Sequence, residues 1–400
     1  MKSIDQVNFK GKRALVRVDY NVPMDDKLQV TSTTRIDRTY ETVKKITNEG
    51  GIAILMSHLG RPKGQVVDSM SLKHIIPAVE KVMGQSVIFL GDVLDSDIEA
   101  KVAALKPGDI ALLENLRFHA EEEKGDVIFA EKLSKLGDIY VNDAFGTAHR
   151  AHASTTIVAQ FFPHNAYAGY LLYNEDASLS KALSHPQRPF TAIIGGAKVS
   201  SKISIIENLL DKVDNLIITG GMCYTFLKAF GEEIGESLVE EDMLATASEI
   251  VKKAYLKGVN LYLPSDSVCG DKFAENANVT ISDNNAIPKG WMGLDIGPKT
   301  VKKFAAVLQQ SNTILWNGPA GVFEMKPFAS GTKAMGISVG AATLAGAYSL
   351  VGGGDTITAV KQFNLQDVVS YISTGGGAML EYLEGKVLPG IEALEKNKNG

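Results

Sequence analysis

Short apolar runs alternate with segments of helical periodicity along almost the whole chain, which is the pattern typical of βα units and a parallel sheet. Predicted strands of the first half are Arg13–Asp19, Ile52–His58, Val87–Leu90, Ile110–Leu116 and Ile139–Asp143. Predicted strands of the second half are Thr191–Gly196, Leu216–Gly221, Asn260–Asp266, Thr313–Pro319, Tyr348–Gly353 and Tyr371–Thr374. Apolar faces at helical spacing predict helices between them, for example over Thr34–Asn48 and Ser200–Val213.

The length of 400 residues fits two domains better than one. The character of the sequence changes over residues 165–188, through a helical stretch and then a proline-containing turn. We therefore predict an α/β fold with two doubly wound, Rossmann-like parallel-sheet domains. The predicted organisation is an N-terminal domain over 1–170, a hinge helix over 171–188, a second domain over 189–377 and a C-terminal segment over 378–400 that packs back on the N-terminal domain.

Composition narrows the function classes. A net charge of −5 argues against nucleic-acid binding, and the chain begins without an apolar signal region. No run of 18 apolar residues occurs, so the sequence predicts a cytoplasmic protein without a membrane span. Its two cysteines lack any zinc-ligand spacing and indicate a reducing compartment. We expect a monomer.

The two halves carry different chemistry. All eight arginines lie at or before Arg188 and all seven histidines at or before His185, whereas 26 of the 38 glycines follow residue 188. Arginine suits bidentate capture of carboxylate or phosphate, and glycine lets the backbone approach a ligand. Drift of surface composition is the alternative explanation. Because ligands bind beyond the carboxyl ends of parallel strands, we predict that each half binds a different ligand there.

In the second half, Lys198 and Lys202 follow the glycine pair after a predicted strand, and an i, i+4 spacing puts both on one helix face. Exposed backbone amides and a helix N-terminus favour phosphate there, although a plain βα turn with solvated lysines is equally compatible. Asp355 in a glycine-rich strand end is a candidate Mg²⁺ ligand or a helix N-cap, or both. Glu324 is a candidate hydrogen-bond acceptor for the hydroxyl groups of a ribose. Neither a Walker A motif nor the protein-kinase motifs occur.

In the first half, acids, amides, histidine and arginine follow the predicted strands. The candidates for an anion pocket are Asp19, Asn21, Arg35, His58, Arg61, Arg117 and Arg150. Arg35 stands in the first turn of a predicted helix, where a cation opposes the helix dipole and so needs a functional reason. His149 and His152 are weaker candidates, for which we expect structural roles.

Nine motifs in order along the chain resemble the phosphoglycerate kinase family. They are RVDYNVP (17–23), SHLGRP (57–62), ENLRF (114–118), NDAFGTAHRAHAS (142–154), GGAKVSSKI (195–203), DIGPKT (295–300), WNGPAGVFE (316–324), VGGGDT (351–356) and STGGGA (373–378). The resemblance implies a bilobal, cytoplasmic enzyme of glycolysis with phosphotransferase activity toward a carboxyl acceptor. Its substrates would be 3-phosphoglycerate or 1,3-bisphosphoglycerate in the first lobe and Mg-ADP or Mg-ATP in the second.

The resemblance also assigns roles to residues by position. Asp19 and Asn21 would bind the glycerate, His58, Arg61, Arg117 and Arg150 the 3-phosphate, and Arg35 the reacting end. Lys198 would contact the phosphoryl group in flight, with the amides of Gly376 and Gly377. The implied nucleotide-binding set is Gly195, Ala197, Lys202, Gly220, Gly221, Gly293, Leu294, Pro319, Val322, Glu324, Gly353, Gly354, Asp355 and Thr356. Asp355 would hold Mg²⁺ together with the nucleotide phosphates.

These residues fit direct in-line phosphoryl transfer, because the acceptor carboxylate needs no base and the sequence offers no nucleophile. We expect the two domains to close during this transfer. Two other classes remain as alternatives. A dinucleotide-dependent dehydrogenase would need a G-x-G-x-x-G unit, which the chain lacks. A two-lobed anion-binding protein usually carries an export signal, and the start of this sequence does not indicate one.

Overall fold

In the computed structural model, which describes residues 1–396, the chain divides into two compact units. The first unit comprises Met1–Asp176 together with the chain from Val387 onward, and the second comprises Ala177–Lys386. No helix within residues 1–396 combines the length and the apolar character that a bilayer crossing requires.

A six-stranded parallel sheet forms the centre of the first unit. Its strands are β1 (Arg13–Val18), β2 (Ile52–Met56), β3 (Val87–Gly91), β4 (Ile110–Leu113), β5 (Ile139–Asp143) and β6 (Ala166–Ala168), in the spatial order β3-β4-β2-β1-β5-β6. Its helices are α1 (Thr34–Asp37), α2 (Tyr40–Asn48), α3 (Ile76–Met83), α4 (Ile98–Ala103), α5 (Ala120–Lys124), α6 (Val127–Ser134) and α7 (Tyr170–Leu183), the last of which crosses the boundary between the units. The central strands are buried on both faces, as a helix-covered parallel sheet requires.

The second unit repeats this plan with a further six-stranded parallel sheet. Its strands are β7 (Phe190–Ile194), β8 (Asn215–Ile218), β9 (Asn260–Tyr262), β13 (Thr313–Asn317), β14 (Tyr348–Gly352) and β15 (Tyr371–Ile372), in the order β15-β14-β13-β7-β8-β9. Its helices are α8 (Ile203–Leu209), α9 (Cys223–Ala229), α10 (Leu244–Leu256), α11 (Pro298–Gln309), α12 (Ser330–Leu344), α13 (Gly354–Gln362) and α14 (Gly377–Leu383). Both parallel sheets confirm the predicted fold class.

A small antiparallel sheet in the second unit was not predicted. It consists of β10 (Asp266–Gly270), β11 (Val279–Asp283) and β12 (Met292–Ile296), in the order β11-β10-β12. The predicted strand Asn260–Asp266 is wrong in its second half, because β9 ends at Tyr262 and β10 begins at Asp266. The edge strand β6 was also missed.

Two predicted helices are shorter than their apolar periodicity indicates. The helix predicted over Thr34–Asn48 is divided between α1 and α2 at Thr39, whose hydroxyl bonds the carbonyl of Ile36 at 2.9 Å. The helix predicted over Ser200–Val213 begins at Ile203. Side-chain hydrogen bonds of this kind compete with the helical ladder.

The C-terminal segment predicted over 378–400 divides between the units. Helix α14 belongs to the second unit, where Asn208 Nδ2 donates to the carbonyl of Leu383 at 2.7 Å. Helix α15 (Pro389–Lys396) belongs to the first unit, and the Gly390 amide donates to the Ala148 carbonyl at 2.8 Å. The last four residues of the predicted segment, 397–400, lie outside the described residues. Helix α7 occupies most of the predicted hinge over 171–188, whose role as a hinge remains a prediction.

One ion pair of the first unit predicts a pH-dependent stability. His119 Nε2 lies 2.8 and 2.9 Å from the two carboxylate oxygens of Asp92, and the hydrogen bond to Asp92 raises the pKa of His119 against the opposing effect of burial. The stabilisation is therefore complete below about pH 6.5 and is lost as the pH rises through the raised pKa. Because the pair is partly exposed to solvent, we expect a loss of ~0.5–1 kcal/mol.

Urea unfolding of the wild type and of His119→Gln at about pH 6 and about pH 8.5 measures this effect. The wild type should exceed the variant in unfolding free energy by more at the lower pH. Equal differences at the two pH values would contradict the assignment.

Candidate active site

The carboxyl ends of the first unit's strands form a polar cavity of about 390 Å³. It lies beside β1, the strand flanked by β2 and β5 where the order of the sheet reverses, which is the expected ligand position in such sheets. The structure brings all seven predicted substrate residues together in its wall: Asp19, Asn21, Arg35, His58, Arg61, Arg117 and Arg150. Glu123, Gly146, Thr147, His149 and His152 also line it.

Several of these side chains are held by hydrogen bonds before any ligand binds. Asp19 Oδ2 accepts from Arg35 Nη1 at 2.6 Å, so the cation in the first turn of α1 has a carboxylate partner. Asn21 Oδ1 accepts from the Gly60 amide at 2.9 Å, and Arg117 Nη1 donates to the Gly60 carbonyl at 3.0 Å. These bonds fix the loop after β2 against the loops after β1 and β4.

Two arginines of the cavity are available for a ligand. Throughout residues 1–396, the guanidinium groups of Arg61 and Arg150 form no ion pair and no hydrogen bond with protein, and both residues are exposed. The pKa of His152 is lowered to about 4 by burial and then by Arg117, Arg17 and Arg150, so this histidine is neutral near pH 7. The cavity therefore combines unpaired cationic forks with neutral donors, which suits an anion.

The second unit carries a more apolar pocket of about 440 Å³ at the carboxyl ends of its parallel strands. Of the predicted nucleotide residues, the structure places nine in its wall: Ala197, Gly220, Gly221, Gly293, Leu294, Pro319, Val322, Glu324 and Asp355. The sequence analysis missed other residues of this wall: Gly196, Tyr224, Glu236, Leu238, Phe273, Met292, Ala320 and Gly321. Glycine pairs at strand ends indicated the loops but not the apolar side chains opposite them.

Close packing explains two of the glycines predicted to bind nucleotide. A Cβ on Gly293 would lie 1.9 Å from the Tyr224 hydroxyl, which itself bonds Ser267 Oγ at 2.7 Å. A Cβ on Gly195 would lie 2.3 Å from the Pro319 carbonyl oxygen. Gly195 is buried, and its amide donates to the Asn317 carbonyl at 2.8 Å, so its role is to let the loops after β7 and β13 meet.

The loop between β7 and α8 differs from its prediction. Residues 195–202 are bends and turns rather than a helix start, so Lys198 and Lys202 do not share a helix face. Glu240 accepts from the Ser200 amide at 3.1 Å and from Ser200 Oγ at 2.5 Å, and Ser201 Oγ bonds the Lys198 carbonyl at 2.8 Å. These polar bonds stabilise the loop and leave the Lys198 side chain exposed.

Lys202 is half-buried and donates to Asn317 Oδ1 at 2.6 Å. Burial lowers its pKa, whereas Asp355 acts in the opposite direction. The cation is thus fixed at the end of β13, where the order of the second sheet reverses between β7 and β13. This is again the expected ligand position.

The loop after β14 leaves the Asp355 side chain exposed and without a capping role. Gly353, with φ at +95°, is the N-cap of α13, so the proposed N-cap role of Asp355 is wrong. Asp355 is exposed in the first turn, where its charge complements the helix dipole. Thr356 is buried, and its Oγ1 accepts from the Gly318 amide at 2.7 Å, so its side chain serves the fold.

The remaining predicted residues stand at helix starts outside the two cavity walls. Gly354 is the first residue of α13. Gly376, with φ at +52°, is the N-cap of α14, and Gly377 is the first residue of that helix; both are exposed.

An arginine-rich anion cavity in one α/β unit, and in the other an apolar, glycine-edged pocket with Lys202 held at the adjoining strand end, define a two-domain kinase. The family model described as phosphoglycerate kinase matches residues 4–386. The chain belongs to the phosphoglycerate kinase family.

Individual relatives agree with this assignment. The chain is 51% identical over 418 residues to the phosphoglycerate kinase of Porphyromonas gingivalis, covering 98% of this chain and 100% of the relative. It is 52% identical over 395 residues to that of Acaryochloris marina, covering 98% of each. The structure of phosphoglycerate kinase from Coxiella burnetii matches with a TM-score of 0.92 and 42% identity, covering 98% of each chain.

The chain is therefore an enzyme, a transferase of glycolysis that acts as a phosphoglycerate kinase. It catalyses phosphoryl transfer between 1,3-bisphosphoglycerate and ADP, giving 3-phosphoglycerate and ATP. Neither the dehydrogenase nor the anion-binding protein is favoured by these relatives.

Proposed function

We propose that the cavity of the first unit binds 3-phosphoglycerate or 1,3-bisphosphoglycerate, and that Arg61 and Arg150 bind its 3-phosphate together with Arg117 and His58. One observation carries this proposal: the cavity gathers four arginines, and the guanidinium groups of Arg61 and Arg150 have no protein partner within residues 1–396. Planar guanidinium groups match phosphate oxygens in a bidentate manner. In the same proposal, Asp19 and Asn21 orient the glycerate.

The second unit's pocket is proposed to bind ADP or ATP. Its apolar wall, which includes Leu294, Pro319 and Val322, suits a purine ring, and Glu324 suits ribose hydroxyls. Lys202 and the amides of the glycine-rich loops suit the phosphates. Lys198 and Arg35 are proposed to neutralise the phosphoryl group during transfer, together with the amides of Gly376 and Gly377.

Mg²⁺ is the proposed metal, bound as its nucleotide complex. Within residues 1–396, no group of three His, Cys, Asp or Glu side chains could hold a metal ion by itself. Three exposed carboxylates line the pocket, Glu236, Glu324 and Asp355, and of these only Asp355 stands in the glycine-rich loop at a helix start, where phosphates are expected. One carboxylate there fits an ion that takes most ligands from phosphates and water. When bound, Mg²⁺ would offset phosphate charge, and Asp355 would hold it at the pocket.

The proposed reaction needs no proton transfer to or from a side chain, because the acceptor of the phosphoryl group is a carboxylate. The contribution of the chain is to position the two ligands and to neutralise charge on the transferred group. Direct transfer requires reacting atoms at about 3–3.5 Å in a site that excludes water. We therefore propose closure of the two units about the hinge at 171–188 during turnover.

A cytoplasmic monomer is the proposed working form. A relative 49% identical over 394 residues carries the name phosphoglycerate kinase 3, cytosolic, from Arabidopsis thaliana. The net charge of −5 also disfavours nucleic acid as a partner.

Lysine substitutions in the first unit test the substrate assignment. Arg61→Lys and Arg150→Lys keep the charge but lose the bidentate fork, so each should raise the KM for 3-phosphoglycerate ~10-fold. The KM for Mg-ATP should change less than ~2-fold, because Arg61 and Arg150 lie outside the nucleotide pocket. Steady-state kinetics with each substrate varied separately provide the measurement.

Arg188→Lys is the matched control, since Arg188 lies in the second unit and pairs with Asp214 at 2.5 Å. It should leave both KM values unchanged. Weaker nucleotide binding in the Arg61 and Arg150 variants would overturn the assignment of the two ligands.

A further inference from the structure

A charged side chain that the proposed mechanism does not use lies beneath the substrate cavity. Arg17 of β1 is fully buried, and its Nε donates to Ser154 Oγ at 2.7 Å. Ser154 Oγ in turn donates to Glu122 Oε1 at 2.6 Å, while the Ser154 amide donates to Glu122 Oε2 at 3.0 Å. Glu122 is also fully buried, so an arginine and a carboxylate are linked through one hydroxyl.

The other end of the Arg17 guanidinium reaches a wall residue of the cavity. Its Nη2 lies 3.2 Å from Nδ1 of His58, a residue that is only 4% exposed. A guanidinium group has donors and no acceptor, and it does not lose its proton in proteins. His58 Nδ1 must therefore accept, which places the single imidazole proton on Nε2.

We propose that Arg17 is a positioning residue that holds His58 as the neutral Nε2–H tautomer, so that His58 is a non-titrating hydrogen-bond donor to the substrate. The Ser154–Glu122 pair fixes Arg17 in this orientation. The last step rests on the proposed function, because it takes 3-phosphoglycerate to be the ligand of this cavity.

The charged and titratable groups around His58 determine whether its imidazole ring is neutral. The groups that face it are Arg17, Arg35, Arg117, His152 and Asp19, whose Oδ1 lies 3.9 Å from His58 Nδ1. Burial and then the nearby cations lower the pKa of His58 well below its usual value. Asp19 does not reverse this effect, because Arg35 already neutralises it at 2.6 Å.

A neutral histidine has a clear use in this cavity. Four arginines already supply positive charge to its wall. A further donor that does not titrate adds direction to substrate binding without making affinity depend on pH near neutrality. A histidine that changed its charge there would make affinity pH-dependent.

Histidine ¹⁵N chemical shifts of the full-length wild-type enzyme, without ligand, test the tautomer directly. Long-range ¹H–¹⁵N correlation spectra between about pH 5.5 and pH 8.5 should show His58 as a fixed Nε2–H tautomer. The His58→Gln spectrum assigns its signal by absence. A titration midpoint within this range, or an Nδ1–H tautomer, would overturn the proposal.

Kinetics of two variants test the role in binding. Glutamine can place an amide N–H near the position of Nε2, so His58→Gln should raise the KM for 3-phosphoglycerate ~2–3-fold. His58→Ala, which has no donor, should raise it ~10-fold, with little change in kcat in either variant. Equal losses in the two variants would contradict the role of His58 as a neutral donor that an amide N–H can replace.

Arg17→Lys completes the test, since a single ammonium group cannot reproduce the fork that bonds both Ser154 and His58. His58 should then begin to titrate or change tautomer in the same spectra; an unchanged spectrum in a folded variant would overturn the role of Arg17. Should this variant fail to fold, the wild-type spectra still decide the tautomer. If the spectra agree while neither His58 variant alters any KM, the tautomer holds and the proposed substrate site fails.

Discussion

Replacing Lys198 with alanine is expected to lower kcat by ~10²–10³-fold, the usual loss for one preorganised charge contact to a transition state. Lys198 is exposed in a loop whose backbone is stabilised by the Ser200–Glu240 hydrogen bonds and by the bond from Ser201 to its own carbonyl. The Lys198 ammonium group therefore extends from a stable loop at the end of β7. Single-turnover and steady-state rates with 3-phosphoglycerate and Mg-ATP measure the effect.

Lys202→Ala is the comparison that separates catalysis from binding. Lys202 bonds Asn317 at 2.6 Å and is half-buried at the switch point of the sheet, so its loss should act mainly on the KM for nucleotide. Lys198→Ala should instead leave nucleotide affinity within ~3-fold. A Lys198→Ala enzyme with nearly normal kcat and much weaker nucleotide binding would show that Lys198 binds the ground state.

The parallel sheets were predictable because their strands are buried on both faces. Strand β2 reads Ile-Ala-Ile-Leu-Met without a polar residue, and a run of that length between polar turns has few other uses. The change of composition near residues 165–188 also indicated two units, since each half follows its own βα series. Where one unit ends inside α7 was not predictable, because a helix can cross a boundary without any local signal.

The antiparallel sheet had no comparable signal. In β11 the outward residues Val279 and Ile281 are exposed and the intervening positions are only half-buried, so its alternation does not resemble a core strand. This sheet matters for the site, because β12 carries Gly293 and Leu294 into the pocket wall. Family resemblance supplied those two residues, whereas periodicity did not.

The cavity of the first unit was predicted more completely than the pocket of the second unit. Arginine, histidine, aspartate and asparagine after strands or in a first helical turn indicate a binding role, so their chemistry identified seven of the residues that line the wall. Tyr224, Leu238 and Phe273 are apolar residues that a sequence cannot distinguish from core positions. Arg17 and Glu122 were missed for another reason, since a charged residue is presumed exposed unless its partner is known.

The position of Asp355 leaves a ligand as its clearest use. Gly353 already caps α13, and Asp355 is exposed at the border of the nucleotide pocket. A carboxylate beside phosphates would repel them unless a cation stood between. Lys202 provides part of that compensation, since Asp355 acts to raise its pKa, and Mg²⁺ would provide the rest.

Asp355→Asn is accordingly expected to lower kcat/KM for Mg-ATP by ~10²-fold, because the side chain keeps its shape but loses the charge that holds the metal complex. The Mg²⁺ concentration for half-maximal activity, at fixed nucleotide, should rise ~10-fold or more, and high Mg²⁺ should restore part of the rate. Asp367→Asn is the matched control, because Asp367 is an exposed carboxylate elsewhere in the same unit. If Asp355→Asn lowers the rate while the Mg²⁺ requirement stays at the wild-type value, Asp355 serves the helix start rather than the metal, and the metal assignment fails.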